Sequence, residues 1–516
     1  MGPLAICLKK NVVGLRHVQV FFLFFAMMLS YMFRVNMSMA IVAMTDSSDE
    51  NSFDWPIKTQ GVILSSFMWG YIVMQFPGGE LVNKFGAKSL VIMSNIVNSV
   101  MSIAIPIAAK LGGWKLVLAC RIIQGVAQGT LIPCMHSFIS KWAPLEERSR
   151  LGTFVYSGVQ LGTAIQNIVS GYIIHNLGWP AVFYVNGIVG VVWVVLFAIF
   201  GANSPQESKW ISKDEKLYIQ TSLNEIGGGK KLKTPWKKIW SSMAFISLIL
   251  ANCGQSWGLW TMVTLIPSYL NQVQGVDIKT NGIMSAIPYL GKFLMSFFFG
   301  YGADLVIKKK WFNVTTTRKI CNSIGFFVPG LGLIGLSYAP SDPILAVILL
   351  TVAVAPNAGH LGSELHLIES NLAVHLTNQE SRLWRCLPPH RPSAVGDYPP
   401  TWGRPKSSSG NLICNYFQLG HIDMAPNFAG SMSGITNGFA NTLSIFAPLA
   451  AGFILQDKTD PNDWQKVFYL SSGVYIASNI FYIIFGDSSR QSWNDPEIED
   501  KDAEAHRKTK EKKADL

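Results

Sequence analysis

Twelve long apolar runs dominate this chain, and they leave few folds open to it. They cover roughly residues 18–44, 58–82, 88–109, 114–141, 149–175, 179–202, 243–271, 280–306, 319–339, 343–360, 427–455 and 465–486. Apolar residues make up 49% of the chain and charged ones only 14%. The runs show neither the one-sided stripe of a soluble amphipathic helix nor the alternation of a half-buried strand. About 20 apolar residues suffice for a helix to cross a hydrocarbon core roughly 30 Å thick. At that depth every backbone N–H and C=O must be satisfied within the segment. The expected fold class is an all-α membrane protein, with twelve transmembrane helices in two six-helix bundles. The first run is too long for a cleavable signal peptide, and no small-residue cleavage site follows it. The opening "MGPLAI" lacks the Ser or Thr that a myristoylation signal wants at position 6.

A net charge of +11 invites a nucleic-acid reading, but the placement of the charge argues against it. With an inner N-terminus, the short inner loops carry thirteen Lys and Arg: 9, 10, 16, 84, 88, 141, 148, 150, 308, 309, 310, 318 and 319. The short outer loops carry six: 58, 110, 115, 279, 458 and 466. That asymmetry is the positive-inside pattern and puts both termini in the cytoplasm. The first outer loop is acidic, with Asp46, Asp49, Glu50 and Asp54. The seven cysteines have no CxxC spacing or clustered partners, which predicts free buried thiols and no metal site.

Residues 203–242 form a polar, Lys-rich central loop that divides the runs six and six. The expected domains are a first bundle (1–202), the cytoplasmic loop (203–242), a second bundle (243–487) and a cytoplasmic tail (488–516). "GGGKK" in the loop is no phosphate-binding loop, because the first glycine of that motif would fall on Asn224. With no ATPase motif, neither a pump nor any other enzyme is expected. The halves carry a weak repeat. "GELVNKFGAK" (79–88) follows the second run and "GYGADLVIKK" (300–309) the eighth, matching Gly79 to Gly300 and Asn83 to Asp304. Duplicated six-helix halves are a common plan for secondary transporters. Glycines four apart in runs 5 and 11 (Gly158, Gly162; Gly430, Gly434, Gly438) allow close helix packing.

A census of charge inside the runs leaves three cations: Arg34, Arg121 and Lys292. No carboxylate lies deep in any run; Glu80, Asp304 and Asp423 sit at predicted inner ends. An ionisable group within the membrane is a functional-site candidate by default. A cavity admitting an anion would offset the burial of these cations, and the planar fork of Arg suits carboxylate or phosphate. Bonding to backbone carbonyls or snorkelling is the structural alternative.

Four stretches point to a family. "GELVNKFGAK" resembles the loop motif G-x-L-a-D-r-x-G-r-k of the major facilitator superfamily, with Asn83 in place of its usual Asp. "YMFRVNMSMAIV", "RIIQGVAQGTLIPCMHSFISKWAPLEERSRL" (121–151) and "HIDMAPNFAGSMSGITNGFAN" (421–441) resemble its anion:cation symporter branch. That branch includes sialin, the vesicular glutamate transporters and the sodium–phosphate cotransporters. The resemblance covers about 16–360 and 416–487 and is strongest to the insect inorganic phosphate cotransporters. It implies that Arg34 and Arg121 face a central cavity. It also places His136, Glu147 and Arg148 at the inner end of helix 4, and it implies coupling or gating roles there, for His136 beside a structural alternative. Gln128 stands where several members have a glutamate tied to proton coupling, which weighs against that route here.

The expected function is secondary transport of an organic or inorganic anion by alternating access. It is to be a cation-coupled symport (Na+ or H+) that needs no other cofactor. The expected partners are a small anionic substrate and the bilayer, the expected state a monomer, and the expected site a plasma, endolysosomal or vesicle membrane. A non-transporting receptor or degenerate paralogue is the alternative. Candidate substrate contacts are Arg34, Arg121 and Lys292; coupling or gating candidates are Gln128, His136, Asn83, Asp304, Glu147 and Arg148. Sequons at Asn36 and Asn313 fall in a span and in an inner loop, so neither is expected to carry a glycan. Residues 361–415, rich in Pro and Ser, interrupt the tenth span, which would join 343–360 to 416–424. Retained intron sequence and a cytoplasmic regulatory loop are the two readings, and either predicts disorder on the inner side.

Overall fold

The computed structural model describes residues 14–46, 52–75, 77–144, 147–224, 235–309, 311–338, 342–359 and 429–487, with 489 and 491 besides. The interruption expected at 361–415 lies outside the described residues. Among those that are described the elements are helical. The first half holds α1 (Leu15–Met44), α2 (Ile57–Gln75), α3 (Gly78–Phe85), α4 (Ala87–Gln128), α5 (Leu131–Trp142), α6 (Arg148–Leu177) and α7 (Trp179–Phe200). The connecting stretch holds α8 (Lys213–Asn224) and α9 (Trp236–Trp240). The second half holds α10 (Met243–Gln272), α11 (Ile278–Lys308), α12 (Val314–Ser337), α13 (Pro343–Val354), a 3-10 turn at Ala355–Asn357, α14 (Ala429–Ile454) and α15 (Pro461–Phe485).

The described helices follow the order of the twelve apolar runs, because α4 holds two of them in one helix, while α13 with 12 residues and its 3-residue turn covers only part of the tenth. The α4 backbone turns at Gly113 (φ 59°, ψ −150°), a conformation open to glycine and strained for other residues. Six of the described helices are apolar and long enough to cross a bilayer on composition alone. Others, such as α6 and α10, are more polar because they bury Asn, Gln, Ser and Thr inside the bundle. Two boundaries differ from the sequence reading. The second run ends at Gln75, and the 79–88 motif starts on a separate short helix, α3. The fourth run is divided at Gly129–Thr130 between α4 and α5.

The duplication is legible in the packing. Gly61, Gly70 and Gly79 recur 221 positions later as Gly282, Gly291 and Gly300. A Cβ on Gly70 would lie 2.0 Å from the carbonyl oxygen of Ile122, so α2 runs against α4 at backbone contact. Gly291 meets Ala355 and Thr351, the equivalent contact of α11 with α13 and its 3-10 turn. The other pair joins the halves. Gly61 of α2 abuts Pro448 and Gly452 of α14, and Gly282 of α11 abuts Asn167 and Gly171 of α6. Each half thus offers its second helix to the fifth membrane helix of its partner. Such contacts need residues without side chains, since association inside lipid rests on close packing.

This seal lies toward the face opposite the one where α1 begins and α15 ends, here called the terminal face. On the opposite face Lys458 donates to Gln60 Oε1 and Asn167 Nδ2 donates to Ser285 O at 3.3 Å. Enclosure pushes the Lys458 ammonium down to about 8. Outside the seal a cavity of about 670 Å³ is lined by Asp46, Asp54, Gln60, Asp457 and Lys458, among others. A Gly282→Trp substitution cannot be housed 2.8 Å from Gly171. It is expected to hold the opposite face open, and a cysteine placed at Ser285 then reacts severalfold faster with an impermeant maleimide from that side. An unchanged labelling rate would refute the seal.

At the terminal face the central stretch folds back onto the first half. Glu215 of α8 accepts from the backbone N–H groups of Leu15 and Arg16 and from Arg16 Nη1, at 2.9, 3.0 and 3.1 Å. Arg16 also gives Nε and Nη2 to Glu147, at 2.8 and 3.2 Å. Arg16 is buried, although the sequence counts it among the cations of the short inner loops. Glu215 therefore satisfies the open N–H groups at the start of α1 and one charge together. Glu215→Ala should lower stability by about 1–3 kcal/mol, read as a fall in the thermal midpoint in detergent. A midpoint equal to that of the unmodified protein would count against the clasp.

Candidate functional site

Three helices of the first half converge around Arg34. On α1, Ser30, Tyr31 and Arg34 share a side, being at i, i+1 and i+4. On α4, Arg121, Gln124 and Gln128 fall at i, i+3 and i+7. On α2, Phe67 and Tyr71 are at i and i+4. Helical periodicity alone puts each set on one face.

The carboxamide of Gln128 is the hub. Its Oε1 accepts from Ser30 Oγ at 2.6 Å and from Arg34 Nε at 2.9 Å. Its Nε2 donates to Ser30 O at 3.2 Å and to Asn98 Oδ1 at 2.9 Å. All its capacity is used, as a buried polar network requires. Rings enclose the guanidinium: Tyr71 at 4.4 Å, Tyr31 at 4.7 Å, Phe67 at 4.9 Å and Trp260 of α10 at 5.8 Å from ring centre to Cζ. Cation–π contacts contribute about 2 kcal/mol or more each where desolvated. Among the described residues the Nε bond is the hydrogen bond Arg34 makes, so its two terminal nitrogens keep donors to spare.

Arg121 is used differently. Its Nη1 donates to Phe33 O at 2.9 Å and to Gln124 Oε1 at 3.2 Å, and its Nη2 donates to Arg34 O at 3.0 Å. It clamps the α1 backbone at the residue that carries Arg34. Lys292, fully buried on α11, donates to Asn357 Oδ1 at 2.9 Å. The same Oδ1 accepts from Gln255 Nε2 at 2.6 Å, while Asn357 Nδ2 donates to Gln255 Oε1 at 2.6 Å and to Gly325 O at 3.1 Å. Asn357 therefore does in the second half what Gln128 does in the first: one amide ties the half's first helix, third helix and cation together. No carboxylate among the described residues pairs with Arg34, Arg121 or Lys292.

The remaining candidates are not gathered at this centre. His136 of α5 is exposed and lies 3.4 Å from the hydroxyl of Tyr156. Asn83 is exposed on α3. Glu147 belongs to the Arg16 clasp, and Arg148 Nη2 donates to Ser140 O at 3.1 Å. Asp304 lies on α11, but its side chain is outside the described residues. The sequence reading missed Gln255, Asn357 and the four rings. Gln255 and Asn357 could have been found by extending the census from cations to amides. The rings carry no such signal, since aromatic residues are plentiful in every run. Cys120, Cys134, Cys253 and Cys321 are free thiols.

The comparisons agree on the family. The model described as "Major Facilitator Superfamily" matches residues 23–368. A "Putative inorganic phosphate cotransporter" of Drosophila melanogaster is 35% identical, covering 93% of this chain and 87% of its own. "Sialin" of Homo sapiens is 30% identical, covering 91% and 89%, and "Vesicular glutamate transporter 2" of Homo sapiens is 31% identical, covering 91% and 73%. Among solved structures, a D-xylose–proton symporter superposes with a TM-score of 0.60 at 13% identity, over 91% of this chain and 98% of that one. A bacterial homologue of the human lysosomal transporter Spinster, inward-facing and unoccupied, gives 0.56 at 12% identity, over 93% and 96%. At such identities the structures speak for the fold alone, and the family match and the curated relatives carry the assignment. Two duplicated six-helix halves, joined by reciprocal glycine contacts around a buried arginine centre, are thus the frame of a chain that belongs to the Major Facilitator Superfamily.

Proposed function

We propose that this chain is a secondary transporter of small anions, working by alternating access, with the anion held on Arg34. The observation that carries the reading is the state of the Arg34 guanidinium. It is 6% exposed, has no carboxylate partner among the described residues, and keeps its terminal N–H groups unspent while Gln128 fixes its Nε. Burying such a charge is costly without compensation. An anion on the terminal fork completes it. Arg121 has the positioning role, since its fork is spent on the carbonyls of Phe33 and Arg34. Lys292 supplies the second positive charge, from the other half. The reciprocal glycine seal fits a molecule whose halves rock about the site. The relatives named as a phosphate cotransporter and a vesicular glutamate transporter support an anionic substrate. The Lys and Arg asymmetry of the loops supports a cytoplasmic terminal face, and the reading places the chain, as a monomer, in a plasma, endolysosomal or vesicle membrane.

Uptake into proteoliposomes tests this. Arg34→Ala is expected to abolish anion uptake while the protein still inserts. Arg34→Lys should lower it about tenfold or more, because a point charge replaces a bidentate fork. Normal uptake by the Ala variant sinks the assignment.

For coupling, the neutral amide at Gln128 directs the reading toward sodium or the membrane potential. Sodium can be held by neutral oxygens, which the bundle has in number. In Gln128→Glu the new carboxylate would sit where Oε1 now lies, 2.9 Å from Arg34 Nε. There it would compete with the substrate while ionised and yield on protonation. Uptake by the unmodified chain should follow an imposed sodium gradient or potential, and the Glu variant should gain a requirement for low pH. Sodium-independent uptake driven by a proton gradient in the unmodified chain would overturn the coupling part of the reading.

A further inference from the structure

The rings around Arg34 are unequal in one respect. Tyr31, Phe67 and Tyr71 come from α1 and α2, in the same half as the arginine, whereas Trp260 comes from α10 of the other half. Phe67, Tyr71 and Trp260 are 1%, 4% and 7% exposed, so little space is left between them. A guanidinium offers two faces and its N–H edges. Rings crowd the group, and Gln128 holds the Nε donor. What remains is the terminal edge, where an oxyanion can accept two parallel N–H bonds. Whatever a ligand carries behind its charged oxygens must then fit among the aromatic side chains. A tetrahedral oxyanion or short carboxylate carries almost nothing there. A sugar acid carries a ring and its hydroxyls. Three of these walls are fixed to the arginine through α1 and its packing against α2 and α4. The fourth is set by how closely the second half approaches.

We propose that Trp260 is the size-selecting wall of the Arg34 site, and that it restricts the substrate to compact oxyanions of the size of inorganic phosphate. The inference rests on the Arg34 reading above. The Trp260 ring centre lies 5.8 Å from the Arg34 Cζ, and in this proposal its indole fills the volume a larger acid would need. Discrimination by filled volume is strong when the excess group is large, since even one methylene in a tight pocket is worth about tenfold or more.

The test uses the full chain in proteoliposomes, with initial uptake of inorganic phosphate and of sialate measured for the unmodified protein, Trp260→Phe, Trp260→Ala and Arg34→Ala. The unmodified chain should favour phosphate. The sialate-to-phosphate ratio should rise about tenfold or more in Trp260→Ala and severalfold in Trp260→Phe, which keeps an aromatic face and shortens the wall. If the Ala variant does not fold, the Phe variant decides. A ratio unchanged in Trp260→Phe, or an unmodified chain that carries sialate as fast as phosphate, overturns the proposal. If that happens while Arg34→Ala is inactive, the wall alone has failed and the anion site stands. If Arg34→Ala transports normally, both readings fall together.

Discussion

The structure depends on how a guanidinium is kept at membrane depth without a carboxylate. Arg34 is held by one amide oxygen and a box of rings, and Arg121 by backbone carbonyls. Each device lowers the cost of burial without neutralising the charge. A carboxylate beside either arginine would lower it further but would also occupy the fork. Neutral compensation leaves a net positive centre, and such a centre attracts an anion from water more strongly than an ion pair does. Gln128 is the key to the arrangement. Its oxygen fixes Arg34, its nitrogen reaches Asn98, and both ends bind Ser30, so α1 and both crossings of α4 share one amide.

The second half repeats the logic with different residues. Asn357 replaces Gln128 as the amide hub, and the cation is Lys292 on the half's second helix instead of an arginine on its first. At the position equivalent to Lys292, 221 residues earlier, stands Tyr71, one of the rings on Arg34. The two halves share the framework of glycine contacts and a hub amide. They differ in their charge, since one bears an aromatic-boxed arginine and the other a buried lysine.

Much of this was legible in the chain. Twelve apolar runs sufficed for the fold class, because lipid permits so few ways to satisfy a backbone. The three cations stood out because almost nothing else in the runs is charged. Their separate roles did not stand out. Arg34 and Arg121 look alike in sequence, and only the direction of each fork separates an arginine with donors to spare from one spent on carbonyls. Arg16 and Glu215 are a further example. They are 199 residues apart, one at the edge of a run and one in a Lys-rich loop. Nothing local marks them as a pair, because ion pairing between distant segments leaves no periodicity behind.

The sequence by itself determined the all-helical membrane class and singled out Arg34, Arg121 and Lys292 as buried cations, though not Arg16 or Arg318, which are buried as well. That class and those three cations follow from transfer free energies summed along short windows, which need no knowledge of neighbours. The tertiary structure alone decided which helix meets which across the midline, which cation keeps its donors, and which rings surround it. Those depend on angles and distances of a few ångströms between helices far apart in the chain. The reciprocal contacts of Gly61 with Gly452 and Gly171 with Gly282 show the reason. A glycine in an apolar run reads as a packing residue anywhere, and only its partner's backbone makes it part of a seal.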